Sequence, residues 1–151
     1  TLRRSSAASD VYKRQSPNAS FGLPEVKRSL VAMAGGTTRL PKRVPQNIAM
    51  EMALTGDTIT AERAQQHGLV NILCEPGEAI NEALSIAERI NSNAPLAVRA
   101  TRKAVLEGAM VDDDEGIRIA VELFAPVAKS EDAKEGPLAF VEKRSPEWKA
   151  R

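Results

Sequence analysis

The residues of this chain best placed to do chemistry lie between Phe21 and Gly36, which read Phe-Gly-Leu-Pro-Glu-Val-Lys-Arg-Ser-Leu-Val-Ala-Met-Ala-Gly-Gly. Glu25 is a carboxylate that can give or take a proton, and its setting aims it. Pro24 fixes φ and biases Leu23 toward extended geometry, so a short strand entering from Ser20 should end there and turn. Gly35-Gly36 can bring backbone close to another group, and a helix opening there would present N–H groups to an anion or a polarised oxygen. Each feature also has a structural explanation. Pro-Glu is an ordinary helix start with the carboxylate facing the dipole, and Gly-Gly suits a helix packed tightly on a neighbour. On spacing alone both accounts stand.

The elements that must position Glu25 can be read from periodicity and punctuation. Thr37 to Val44 is a short basic segment stopped near Pro41 or Pro45, and Gln46 to Leu54 predicts a buried helix ended by Thr55-Gly56-Asp57. Thr60 reads as an N-cap with Glu62 in the first turn, and Gly68 ends that helix. Leu69 to Cys74 reads as a strand closed by Pro76-Gly77. Amphipathic helices follow, the first with Ile80, Ala83, Leu84, Ala87 and Ile90 on one stripe. Pro95 opens a helix to about Glu107. Asp112 to Glu115 places acids at the start of the next, which dipole complementarity explains better than metal binding, and Pro126 should kink or end it. Ser130 reads as the cap of the last helical segment, with Gly136-Pro137 interrupting it before Leu138 to Arg144. Trp148 falls near an end expected to fray.

Composition narrows the function classes. A chain of 151 residues, 42% of them hydrophobic, can build one domain with a real core. A formal charge of +1 leaves no nucleic-acid footprint. One cysteine, Cys74, excludes an internal disulfide and fits a reducing compartment such as the cytoplasm. No apolar run approaches the ~20 residues of a membrane span. With one histidine and one cysteine, neither a zinc site nor a Cys-His dyad is supported, and His67 is explained as a cation at a helix end. Residues 1–17 lack a sustained period and read as a non-native or disordered stretch resembling translated adapter sequence, with a basic targeting arm as the alternative.

Several motifs in order carry a resemblance. Phe-Gly-Leu-Pro-Glu (21–25), Ala-Gly-Gly-Thr-Thr-Arg-Leu (34–40), Ala-Met-Glu-Met-Ala-Leu-Thr-Gly-Asp (49–57), Asn93-Ala94-Pro95 and the ending Ala139-Phe140-Val141-Glu142-Lys143-Arg144 closely resemble the enoyl-CoA hydratase/isomerase family, the crotonases, over about residues 18 to 151. The resemblance implies an α/β, crotonase-like fold in truncated form: 18–75 as the end of a ββα spiral and 76–151 as the α-helical trimerisation region. It implies an enoyl-CoA hydratase fragment that adds water to trans-2-enoyl thioesters, with Glu25 as the proton-transfer residue. The other catalytic carboxylate and both oxyanion-hole amides would lie upstream. Phe21 and Met33 would line the acyl end, the Met33 N–H helping to hold the attacking water. Phe140 and Lys143 would meet the adenosine and phosphates of coenzyme A, which belongs to the substrate, so no separate cofactor is implied. Homotrimers or dimers of trimers would be the assembly. Isomerisation of a double bond is the alternative reaction on the same fold, and a non-catalytic helical oligomerisation module the alternative of another class.

Overall fold

The computed structural model describes residues 14–151. Its strands are β1 (Arg14–Gln15), β2 (Ser20–Phe21), β3 (Ile59–Thr60) and β4 (Ile72–Leu73), and its helices are α1 (Gly36–Arg39), α2 (Gln46–Thr55), α3 (Ala61–Gln66), α4 (Ala79–Asn91), α5 (Pro95–Gly108), α6 (Asp113–Ala128) and α7 (Asp132–Glu142). Contacts divide the chain into two units, the first ending at Ser85 and the second starting at Ile86. That division falls inside α4, later than the boundary after Glu75 read from the sequence.

In the first unit the strands pair two by two. β1 runs parallel to β4, with Arg14 opposite Ile72, and β2 runs antiparallel to β3, with Phe21 opposite Ile59. Arg14 and Gln15 belong to the stretch that the sequence reading set aside at 1–17, and here their backbone joins a strand; the remainder of it up to residue 13 lies outside the described residues. The expected strand over Leu69 to Cys74 shrinks to Ile72–Leu73. The cause is the end of α3: the N–H groups of Leu69 and Val70 both donate to Ala64 O, and Gly68 takes φ 75° to allow it. The first residues of the apolar run are therefore spent on terminating a helix.

The core of this unit gathers one face of α2 (Ile48, Ala49, Met52) with Val44, Ile59, Ala64, Leu69 and Val70, and Phe21, Leu40 and Leu73 pack against it. The caps follow the sequence: Thr60 Oγ1 accepts from Arg63 N at 3.3 Å, and Gly56 closes α2 in the left-handed conformation. Arg63 makes a two-pronged ion pair with Glu51 at 2.8 and 2.7 Å, which holds the Glu51 carboxyl below its usual range.

The second unit is helical. Asp112 caps α6 by accepting from Glu115 N at 2.9 Å, and Pro95 opens α5 as its first-turn proline. α5 and α6 pack together, yet neither has a fully buried residue, and Val105, Ile117, Val121 and Phe124 are all more than half exposed. Pro126 is accommodated two residues before the end of α6. Pro137 is different: α7 runs unbroken through Gly136-Pro137, where an interruption was expected. Pro137 lacks the N–H that would donate to Ala133 O and sets its ring against that carbonyl, a local cost that α7 carries without ending.

What fixes α7 is the chain that follows it. Arg144 pairs with Glu135 at 2.5 and 2.9 Å, and Glu147 N donates to Glu135 Oε1 at 2.8 Å. Trp148, expected at a frayed end, donates from Nε1 to Ser92 O at 2.8 Å. The Arg144 guanidinium, the Glu147 N–H and nearby Lys149 hold the Glu135 carboxyl down to about 2, against an ordinary value of 4.5, while Glu142 shares Arg144. A lowered carboxylate contributes stability that is fully present above the ordinary value and is lost as pH falls through the folded one. Thermal melts of the parent and Glu135→Gln should therefore differ at neutral pH and converge between about pH 4.5 and 2.

Candidate functional site

Glu25 sits in a 3-10 turn, Pro24–Arg28, that begins two residues after Gly22 and directly after Leu23. Leu23 has φ −124° and ψ 79°, outside the helical region that a following proline disfavours but short of a fully extended strand. The structural account of Pro-Glu is realised, since the proline opens a short helical turn and the carboxylate is in its first residues. Ser29 closes the turn in the left-handed conformation, φ 56°, and the Leu30 N–H donates to Glu25 O at 3.1 Å. A serine held there carries a backbone strain of about 1 kcal/mol that the surrounding bonds must offset.

Close approaches on either side fix the bend. A Cβ at Gly22 would lie 2.9 Å from Thr58 Cγ2, and one at Gly36 would lie 2.8 Å from both Leu23 Cδ2 and Ala32 Cβ. The chain before Glu25 therefore lies against Thr58, and Leu23 lies on the opening of α1. Gly36 serves that contact more than an anion site: α1 is only four residues long, too short for a useful dipole. Lys27, on the same turn, pairs with Asp57 at 2.6 Å, and its side chain lies across Gly56. Sequence reading treated Asp57 only as part of a turn; an acid directly after a helix-ending glycine was the available signal for a tie to the Glu25 turn.

The carboxyl of Glu25 has one oxygen, Oε2, that is buried and has no hydrogen-bond partner, the one such side-chain atom among the described residues. Leaving a buried polar atom unsatisfied costs about 1–3 kcal/mol, so a buried orphan calls for an explanation.

The other residues singled out from the sequence are placed as follows. Phe21 lies in β2 and packs against the core. Met33 is 84% exposed, and its N–H, expected to be a donor to water, donates instead to Val31 O at 2.7 Å. Phe140, 85% exposed, projects from α7, and Lys143 closes that helix in the left-handed conformation at φ 54°. Glu25, Phe21 and Met33 belong to the first unit, Phe140 and Lys143 to the second.

The model of one family, enoyl-CoA hydratase/isomerase, matches residues 8–151. The chain belongs to the enoyl-CoA hydratase/isomerase family. The match starts inside the stretch set aside at 1–17 and takes in nearly the whole chain. Within this family the chain is 41% identical over 140 residues to a carnitinyl-CoA dehydratase of Proteus mirabilis, covering 90% of the chain and 54% of the relative. It is 43% identical over 134 residues to an (E)-benzylidenesuccinyl-CoA hydratase of Thauera aromatica, covering 89% and 52%. The crystal structure of an enoyl-CoA hydratase from Mycobacterium tuberculosis superposes with a TM-score of 0.87 at 47% identity, covering 93% of this chain and 56% of that one. The chain thus spans about half the length of the enoyl-CoA hydratase/isomerase relatives it matches.

Because Leu23 and Ala32 meet over Gly36, a methyl there forces one of them aside. Gly36→Ala should lower the stability of the first unit by ~1–3 kcal/mol, as overpacking does, measured by denaturant melts.

Proposed function

We propose that these residues form the C-terminal, Glu25-bearing part of an enoyl-CoA hydratase. The observation that carries this reading is the buried, unpartnered Oε2 of Glu25 on a turn fixed from both sides. Matched relatives are named as hydratases or dehydratases of CoA compounds, which favours addition or removal of water over the other chemistries of the family.

Hydration of a trans-2-enoyl thioester places the water oxygen on Cβ and a proton on Cα, and the thioester itself stays intact. Negative charge gathers on the thioester oxygen as the C–O bond forms, so the reaction needs a base for water, an acid for Cα and donors at that oxygen. Glu25 is the acid: its carboxyl delivers the proton to Cα and is left as carboxylate. The base and the oxyanion donors come from the preceding part of the protein. Met33, exposed beside the Glu25 turn with Leu30 and Val31, meets the acyl chain through its side chain, its N–H being engaged by Val31. Phe140 and Lys143 meet the adenine and phosphates of coenzyme A, an aromatic for stacking and a mobile point charge for phosphate. The exposed apolar residues of α5 and α6 suit burial against further copies in a trimer or a dimer of trimers.

The test is crotonyl-CoA hydration, followed as loss of enoyl-thioester absorbance, by this chain and by a protein in which the preceding half is restored. Activity is expected in the restored protein only. Glu25→Gln should reduce it ~10²–10⁴-fold, the usual worth of a positioned acid, without loss of thermal stability. A restored protein that shifts the double bond without adding water would replace hydratase by isomerase, and one with no acyl-CoA affinity would leave a helical assembly module. Sedimentation of the restored protein should give three or six chains, and a monomer would remove the trimer from the proposal.

A further inference from the structure

Residues 144–151 fold back along α7 and are held there by two of its carboxylates. Asp132 is 4% exposed; its Oδ1 accepts from Lys149 N at 2.7 Å and its Oδ2 from Ala150 N at 3.0 Å. Ala150 adopts the left-handed conformation, φ 58°. One turn further on, Glu135 takes both prongs of the Arg144 guanidinium and the N–H of Glu147. Trp148 seals the return: its indole donates to Ser92 O, and its ring lies 3.4 Å from where a Cβ of Gly136 would be.

Lys143 sits where helix becomes tail. Its left-handed backbone, at φ 54°, is an uncommon and strained state for a residue with a Cβ. Locally, Lys143 N donates to Phe140 O at 3.3 Å and Arg144 N to Ala139 O at 3.1 Å, the bond pair of a Schellman cap, and Arg144 Nε meets Glu142 Oε2 at 2.6 Å. The charge-assisted bonds to Glu135 and Asp132 lie beyond the turn, and they are the stronger kind. With the tail released, the Lys143 turn keeps only its short-range bonds and loses the ties that join it to the first turns of α7.

We propose that Asp132 and Glu135 are positioning residues for the coenzyme A end of the site: by latching the tail onto α7 they fix the turn at Lys143 and so aim its ammonium. This rests on the reading of Lys143 as a phosphate ligand, and the latch is what makes that ligand pre-formed. A ligand group held in its competent direction saves the binding free energy otherwise lost in ordering it. Release of the tail lowers the competent fraction, and apparent affinity falls by that factor; a drop to about a tenth weakens binding about tenfold.

The test is calorimetric titration of coenzyme A into the full chain, for the parent, Lys143→Ala, Asp132→Asn and Glu135→Gln, at low and high salt. Trp148, the one tryptophan of the chain, reports tail docking by its emission, and far-UV circular dichroism reports helix content. Both latch variants should shift Trp148 emission to the red, keep their helix and bind coenzyme A about tenfold more weakly, with salt dependence retained because the ammonium is still present. Lys143→Ala should weaken binding with docked Trp148 and a flattened salt dependence. Glu135→Gln, at the less buried position, carries the test if Asp132→Asn loses its helix.

The failures are distinguishable. No binding by the parent, or a Lys143→Ala chain that binds as the parent does, overturns the phosphate reading and the latch role with it. Weakened binding in Lys143→Ala alongside parental affinity in a red-shifted latch variant overturns the positioning role alone. Trp148 emission unmoved in both latch variants would show that the tail is held by something else.

Discussion

The bend that carries Glu25 depends on a steric constraint. Between Gly22 and Gly36 the backbone is pressed on one side by Thr58 and on the other by Leu23 and Ala32, with separations that leave no room for a Cβ. Pro24 then supplies a fixed φ, and Ser29 supplies a left-handed stop. None of these contacts is strong. Together they leave the Glu25 turn one place to go, which is what the role proposed for Glu25 requires, because reactivity falls steeply when a proton donor is misplaced by an ångström.

The same side-chain chemistry serves opposite ends elsewhere in the molecule. Glu51, Glu115 and Glu135 each face a guanidinium, and each is drawn below the ordinary carboxylate range by it. These acids are paired: Glu51 and Glu135 tie separate segments together, and Glu115 pairs within α6. Glu25 has a buried oxygen with no partner. A carboxylate fully bonded to its own fold has little left to offer a substrate, so the contrast sets Glu25 apart from the acids paired within the fold. Asp132 lies at the other extreme, with both oxygens bonded by backbone N–H groups of the returning tail.

Much of the local architecture was legible from residues alone, since caps and breakers act over three or four positions. Thr60, Asp112, Pro95 and Gly56 do what their types dictate: each bonds or constrains backbone within one turn. The misreadings fall where a local preference met a more distant demand. Pro137 was expected to interrupt the last helical segment, and α7 runs through it, with the returning tail bonded to Asp132 and Glu135 before it. Leu69 to Cys74 has the composition of a strand, and the first of these residues terminate α3 because Ala64 O recruits their N–H groups. The Met33 N–H looked available for water, and a tight turn to Val31 takes it.

The sequence by itself determined the family, through several motifs in register, and with it the expectation that Glu25 transfers a proton. It determined the helix starts as well, because capping is local chemistry. Only the tertiary structure decided that Glu25 Oε2 is buried without a partner, that Asp57 ties down the turn carrying it through Lys27, and that Trp148 and Asp132 lock the tail. These contacts join residues 17 to 56 positions apart in the chain, or depend on solvent being excluded by neighbours from elsewhere in it. Residue type and spacing carry no record of such pairings, since many distant partners are chemically equivalent until packing selects one.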